Sequence, residues 1–321
     1  MLIVLWFSGW HYRTTIYLIH QAKGQFSILF HTESIDEFKK KGTLNEKQLA
    51  LLDLIPQLKK YSVDSLGYKP TSNFETIFNQ NEKPILYVIS ASENYSLVPY
   101  LWRFPLIGDV SYKGFFDKNL AEIELNKLKC NGYDVSIRPV SAWSTLGWLS
   151  DPLLSSHLNK EKGDFCNLLF HELFHATYYD ASNVDLNENL ATFIADKATL
   201  QFLSTDTLNL NLYKQSQTKY NLLNQLLSES NIQLKKFYSE QANRVNIIAK
   251  QKFLYNIKCK IDSFIYDSTM ALKTKTKIDA EQNAFFIDYI QYHSQQDSLE
   301  NAFNKIYKGS IRRMVQSLTK N

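Results

Sequence analysis

The residues "HELFHATYYDASNVDLNENLATF", His171 to Phe193, carry groups able to hold a metal ion and to move a proton. On a helix, His171 and His175 lie one turn apart and point to the same side, the spacing a tetrahedral zinc ion needs from two imidazoles. Glu172 is next to His171, so it projects beside such an ion rather than onto it. There a carboxylate can accept a proton from an attacking water and pass it to a leaving amine. This is the chemical content of the H-E-x-x-H pattern. A tetrahedral site needs a third protein ligand and leaves its fourth position open. Glu188 is the best placed, on a second helix that follows a polar loop of about ten residues, short enough to make the two helices antiparallel neighbours. Asp164 is the expected N-cap of the first helix and Asp185 or Asn187 of the second, with Glu188 in its first turn. Cys166 shares the first helix but faces another side. The competing reading is of ordinary amphipathic helices whose histidines are surface or satisfied core side chains.

The elements that must position these groups follow from where helix breakers stop. All seven prolines lie at or before Pro152, and all but one of the ten glycines at or before Gly163. Their near absence afterwards predicts long helices, and the tail from about Asn209 carries apolar residues at helical spacings that suit packing on the rest of the fold. The N-terminal half is punctuated like a mixed region. Expected strands are Phe26–His31, Phe74–Asn79, Ile85–Ser90, Asp109–Phe116 and Asp134–Val140, rich in β-branched and aromatic residues. Expected helices are Glu46–Tyr61, with an apolar stripe through Leu52, Ile55 and Leu58, and Lys118–Cys130, stopped by Asn131-Gly132. Asp151-Pro152 is expected to open a further helix. The fold class is α+β: an N-terminal mixed sheet with helices, packed against a mostly helical C-terminal half.

Composition narrows the partners. The chain has 321 residues, 44% apolar, with 36 basic and 32 acidic residues and a net charge of +4. That balance, without a basic run interleaved with aromatics, argues against nucleic acid. Cys130, Cys166 and Cys259 are widely spaced and form no metal knuckle or redox pair. The apolar run Leu2–Trp10 is shorter than the roughly 20 residues a membrane span requires and lacks the basic start of a signal peptide. It reads either as part of a truncated membrane anchor within residues 1–20 or as a buried segment. Residues 21–321 then form one domain, with a sheet-rich lobe at 21–160 and a helical lobe at 161–321 carrying the histidines.

Beyond the metal motif, several blocks resemble a known family. "FHELFHATYY" with "NENLATFIADKA" looks like the predicted bacterial aminopeptidase family, a gluzincin-type branch of the metallopeptidases. "WRFPLIGDVSYKGFFD" (Trp102–Asp117) is similar to that family's W-x-F-P-x-x-G-x-V-x-Y-K/R-G-x-F-D segment. "SAWSTLGWLSDPLLSS" (Ser141–Ser156) is similar to its A-Y/W-S-T-L-G-W-x-x-D-P-x-L-S block. "QAKGQFSILF" and "QNAFFIDYIQYH" are weaker matches, so the resemblance runs from about Gln21 to Tyr292. It implies a zincin-like core with one Zn2+ ion held by His171, His175 and Glu188, Glu172 as general base, and a peptide substrate. It also implies an N-terminal membrane or lipid anchor and a place in the cell envelope, membrane-associated or periplasmic. Many gluzincins place an acidic residue four positions after the third ligand to hold a histidine. Here that position is Thr192, so support must come from elsewhere, with Asp180, Asp185 and Asp196 as candidates.

Peptide hydrolysis also calls for a donor to the oxyanion. Tyr112, Tyr178, Tyr179, Tyr292 and His293 are available, and Tyr292, in the weaker C-terminal block, is the first choice. An exopeptidase further needs a carboxylate for the substrate's free amine; Glu93, Asp109, Asp117 and Asp151 all qualify. The block "AWSTLGWLSDP" fits either an edge strand lining a peptide cleft or a tight structural turn around Gly147. The expected activity is zinc-dependent peptide hydrolysis of aminopeptidase type. The alternatives are an envelope-associated binding or scaffold protein that keeps the fold without turnover, and a zinc hydrolase of non-peptide amides.

Overall fold

The computed structural model describes residues 2–104, 108–140, 150–180, 183–240, 246–267, 283–290 and 296–319. In chain order the first elements are α1 (Leu2–Phe30), β1 (Thr32–Ser34), α2 (Ile35–Lys40), α3 (Glu46–Tyr61), β2 (Thr76–Phe78), β3 (Leu86–Glu93), β4 (Trp102–Phe104), β5 (Gly108–Val110) and β6 (Tyr112–Phe115). There follow α4 (Lys118–Cys130), β7 (Tyr133–Val140), β8 (Leu153–Leu154), α5 (Lys162–His175), α6 (Val184–Phe202), α7 (Thr207–Glu240), α8 (Ile247–Asp267), α9 (Asn283–Ile290), α10 (Gln296–Lys305) and α11 (Ile311–Leu318). The class is α+β, but the expected single mixed sheet is three small ones, ordered β1-β2-β8, β6-β3-β7 and β4-β5. The chain divides into two compact units, each assembled from three separate segments.

The first unit comprises Met1–His31, Pro84–Ser141 and Leu222–Ile290. Its sheet is antiparallel, with Ile89 of β3 opposite Lys113 of β6 and Ile137 of β7. Asp117 caps α4 by accepting from the Asn119 amide, and α4 ends where Gly132 takes a left-handed φ of 82°. The expected strand Phe26–His31 is instead the end of α1 and its exit. Earlier in the same helix Tyr17 and Gln21, one turn apart, both donate to the carbonyl of Gly114 in β6, at 2.9 and 2.6 Å. The expected strand Asp109–Phe116 is split at Ser111, because β5 pairs with β4 while β6 pairs with β3. Part of the helical tail also belongs here: Leu223, Leu227 and Leu234 of α7 pack with Leu254, Ile257 and Ile261 of α8 and Phe286 of α9. Among the described residues, no helix is long and apolar enough to cross a membrane.

The second unit comprises Thr32–Lys83, Ala142–Asn221 and Gln291–Asn321. Asn45 and Gln48 form a reciprocal capping box at the start of α3. The helix buries Leu51, Leu52, Leu54, Ile55 and Leu58. That face belongs to one apolar core with Ile77, Phe165, Leu169, Phe170 and Phe174, and with Met314 and Val315 of α11. Asp151-Pro152 leads into β8, which pairs in parallel with β2, and not directly into a helix. Helix α5 begins three residues earlier than expected. Glu161 is its N-cap position and Asp164 sits in its first turn, where a carboxylate favours the helix dipole. Gly163 is required by packing: a Cβ there would lie 2.6 Å from the Tyr213 side chain of α7. Helix α6 is capped by Asn183, which accepts from the Leu186 amide at 3.0 Å, and not by Asp185 or Asn187. Its fully buried Ala191, Ala195 and Ala198 share a helical face and let it pack closely on α5. The Ser141–Leu149 part of the Ser/Thr/Gly block lies outside the described residues.

Candidate metal centre

The two histidines and Glu172 come from the last turn and a half of α5. Glu188 comes from the second turn of α6, not the first as expected, because Asn183 starts that helix early. The Nε2 atoms of His171 and His175 face one another at 3.1 Å. A carboxylate oxygen of Glu188 lies 3.4 Å from each, Oε2 from His171 and Oε1 from His175. All three groups thus offer one ligand atom within 4.8 Å of the others and could hold a metal ion. The donor set itself fits this role. Two imidazole nitrogens pointed at each other and at a carboxylate repel or compete as bare groups, and one cation satisfies all three. The His175 side chain is 4% exposed, against 20% for His171 and 24% for Glu188, so the cluster opens to one side. Among the described residues, the buried Nδ1 of His175 has no hydrogen-bond partner.

Charge coupling within the cluster is strong. Burial works to raise the Glu188 carboxyl, but contacts with both imidazoles overcome it and hold the group far below the usual carboxylate range. Burial pulls the His171 pKa down, while Glu188 and Glu172 outweigh it and raise it. Glu172 is pushed up by its burial, with Glu188 and Asp151 adding to the rise and the two imidazoles opposing it. A carboxyl displaced upward beside a metal-ligating set suits a group that takes and returns a proton.

The asparagines flanking Glu188 fix its backbone. Asn187 is fully buried and clamps the peptide that leaves the histidine helix, accepting from the Asp180 amide at 2.9 Å and donating to the Asp180 carbonyl at 2.7 Å. Asn189, also fully buried, donates to the Asp185 carbonyl at 2.8 Å and accepts from Gln296 of α10 at 3.2 Å. Asn187 is therefore a loop clamp rather than a helix cap. Its signal in the sequence is an amide beside the third ligand, and only the fold reveals what that amide reaches.

A family model described as "Putative aminopeptidase" matches residues 16–320. The chain belongs to that family. No curated protein and no solved structure matches it.

Membership in the aminopeptidase family gives the remaining candidates a context. Tyr179 lies close enough to Glu188 for that carboxylate to add to the upward shift that burial causes in its hydroxyl. Tyr178 packs against Phe174 at 6.0 Å. Tyr112 is in β6 of the other unit, and Tyr292 and His293 lie outside the described residues. Of the four carboxylates considered for an amine, Glu93, Asp109 and Asp117 belong to the first unit. Asp109 pairs with Arg103 at 2.9 Å and Asp117 caps α4. Asp151 belongs to the unit that holds the candidate metal ligands and is buried there. Asn167, Asp196 and Tyr213 form a bonded cluster one helical turn from His171. Asp196 was one of three open candidates in the sequence; Asn167 and Tyr213 carried no signal there.

Proposed function

We propose that the chain is a zinc-dependent metallopeptidase acting at free peptide N-termini, with a zincin-like arrangement of α5 and α6. The observation that carries this reading is the convergence of His171 Nε2, His175 Nε2 and the Glu188 carboxylate, with Glu172 adjacent on the same helix. Two imidazoles and one carboxylate are a donor set suited to zinc with an open fourth position. Zinc bound there supplies a Lewis acid that polarises the peptide carbonyl and acidifies water. Glu172 takes a proton from the attacking water and returns it to the departing amine. Its carboxyl is pushed upward, chiefly by burial, in the direction that favours holding that proton. The N-terminal preference is supported by family membership and by Asp151, the one candidate amine-binding carboxylate whose charge reaches Glu172.

The test is zinc content and peptide turnover of the purified protein beside Glu172→Gln. The expected result is one zinc per chain in both, with turnover slowed on the order of 10²–10⁴-fold in the variant. Protein without stoichiometric zinc would overturn the metal reading. Undiminished turnover by the variant would overturn the role of Glu172.

A further inference from the structure

The block Trp102–Asp117 contributes no residue to the candidate metal centre. Its side chains line a cavity of about 200 Å³ built wholly from the first unit, with Tyr17, Tyr100, Trp102, Phe104, Lys113 and Glu124 in its wall. Trp102 and Phe104 alternate with Arg103 in β4, so both rings stand on one side of the strand. Tyr100 meets Trp102 edge-on at 4.9 Å. Tyr17 of α1 faces Phe104 at 5.5 Å. An apolar cavity of about 150 Å³ is enough for benzene, so this one has room for a single ring and a small polar group.

The polar part of the wall is unevenly matched. Glu124 is well supplied: its Oε1 accepts from the Trp102 indole at 2.9 Å and from Lys113 at 3.3 Å, and Lys127 lies 4.0 Å from its Oε2. These contacts outweigh burial and lower its pKa. Lys113 is poorly supplied. Among the described residues its one hydrogen bond is that long contact with Glu124, although an ammonium carries three donors. Its Nζ otherwise meets ring faces, 4.6 Å from the centre of Tyr17 and 5.3 Å from that of Phe115. Burial lowers its pKa, and Glu124 only partly offsets this. Arg103 at the exposed edge is matched by Asp109. Lys113 and Lys127 against Glu124 then leave one positive charge beside the rings. An incoming cation would be repelled there, because Lys113 already occupies the ring faces that could hold it. An anion would give the buried ammonium the partner it lacks.

We propose that this cavity is a binding site for a small monocarboxylate bearing one aromatic ring, its carboxylate on Lys113 and its ring among Tyr17, Trp102 and Phe104. Lys127 adds attraction from the solvent side, where its side chain is 46% exposed. Such a group occurs in free aromatic acids and at the C-terminus of a peptide ending in an aromatic residue. The inference is independent of the metal reading, since none of its residues belongs to that cluster.

The experiment is isothermal titration calorimetry of the full chain with hydrocinnamate, which carries one ring and one carboxylate, beside its neutral amide. The expected result is saturable one-site binding of hydrocinnamate at about 0.1–1 mM, with the amide about tenfold weaker or more. Lys113→Met should weaken hydrocinnamate about 10–100-fold and Phe104→Leu about 2–10-fold, with a smaller loss in Lys127→Ala. An N-acetylated tripeptide ending in phenylalanine separates the two sources. Equal or tighter binding than hydrocinnamate assigns the site to peptide C-termini, and weaker binding assigns it to free acids. Hydrocinnamate that does not bind the parent, or binds no better than its amide, overturns the proposal. So does binding undiminished in both Lys113→Met and Phe104→Leu, which would place it elsewhere, the candidate metal centre included. Phenethylammonium bound more tightly than hydrocinnamate, and weakened by Phe104→Leu, would make this a cation site and overturn it too. Should Lys113→Met fail to fold, Phe104→Leu and Lys127→Ala decide, and unchanged affinity in both overturns the proposal.

Discussion

Each of the two units holds a polar cluster around a buried side chain, and the two clusters are built on opposite principles. In the first unit Lys250, 4% exposed, donates to Asp134 at 2.6 Å and to the Asn94 carbonyl at 2.7 Å. Asn283 binds the same Asp134 through its amide, reaches the Glu93, Asn94 and Ser96 carbonyls with its side chain, and accepts from Tyr238 at 2.6 Å. Donors meet acceptors and opposite charges touch, so the cluster is complete within the chain and ties α7, α8 and α9 to the ends of β3 and β7. In the second unit three potential ligand atoms point at a common space, and two of them are of the same kind. Closure in one cluster and convergence in the other separates a structural network from a candidate site, although both are polar and each has a buried side chain at its centre.

Four changes would break or sharpen that contrast. His175→Ala has the largest expected effect: the complete loss of stoichiometric zinc, measured by metal analysis, with helical circular dichroism retained. Lys250→Met leaves Asp134 buried without its partner. It should destabilise the protein by about 3–5 kcal/mol in denaturant titration while zinc stoichiometry stays the same. A metal loss in Lys250→Met would erase the distinction between the clusters. Asn187→Ala falls between, since it removes both bonds to the Asp180 backbone; a loss of about 1–3 kcal/mol with a moderate weakening of zinc affinity is expected. Smallest is Lys60→Ala. It breaks the exposed pair with Asp64, 2.7 Å apart, and the unfolding midpoint should not move measurably.

What could be read in the sequence was whatever depends on neighbours a few residues away. Helices α3 and α4 have the expected limits, Glu46–Tyr61 and Lys118–Cys130, because apolar spacing, caps and a Asn-Gly stop are local signals. The same locality makes His171 and His175 recognisable as a pair, and a short loop brings Glu188 within their reach. What was hidden depends on distant partners. The end of α1 has strand-like composition, yet it continues a helix whose Tyr17 and Gln21 bind Gly114, far along the chain. The segment Asp109–Phe116 breaks in two because its halves answer to different strands. The division of the tail was equally invisible, since α8 and α9 carry the same apolar spacing as α10 and α11 yet belong to a different unit. Tyr213 looks like any packing tyrosine until Gly163 is seen to admit it beside Asp196.

The three-segment construction of the unit that holds the candidate metal site has a consequence for how that site is assembled. Its core includes Phe38 and Leu52 near the start of the chain and Met314 and Val315 close to position 321. During synthesis the histidine helix therefore emerges well before the last residues that complete its surroundings. Metal capture at the candidate site is expected to be stable only once α11 has joined this core, so that the histidine helix and its neighbour are not by themselves a working site.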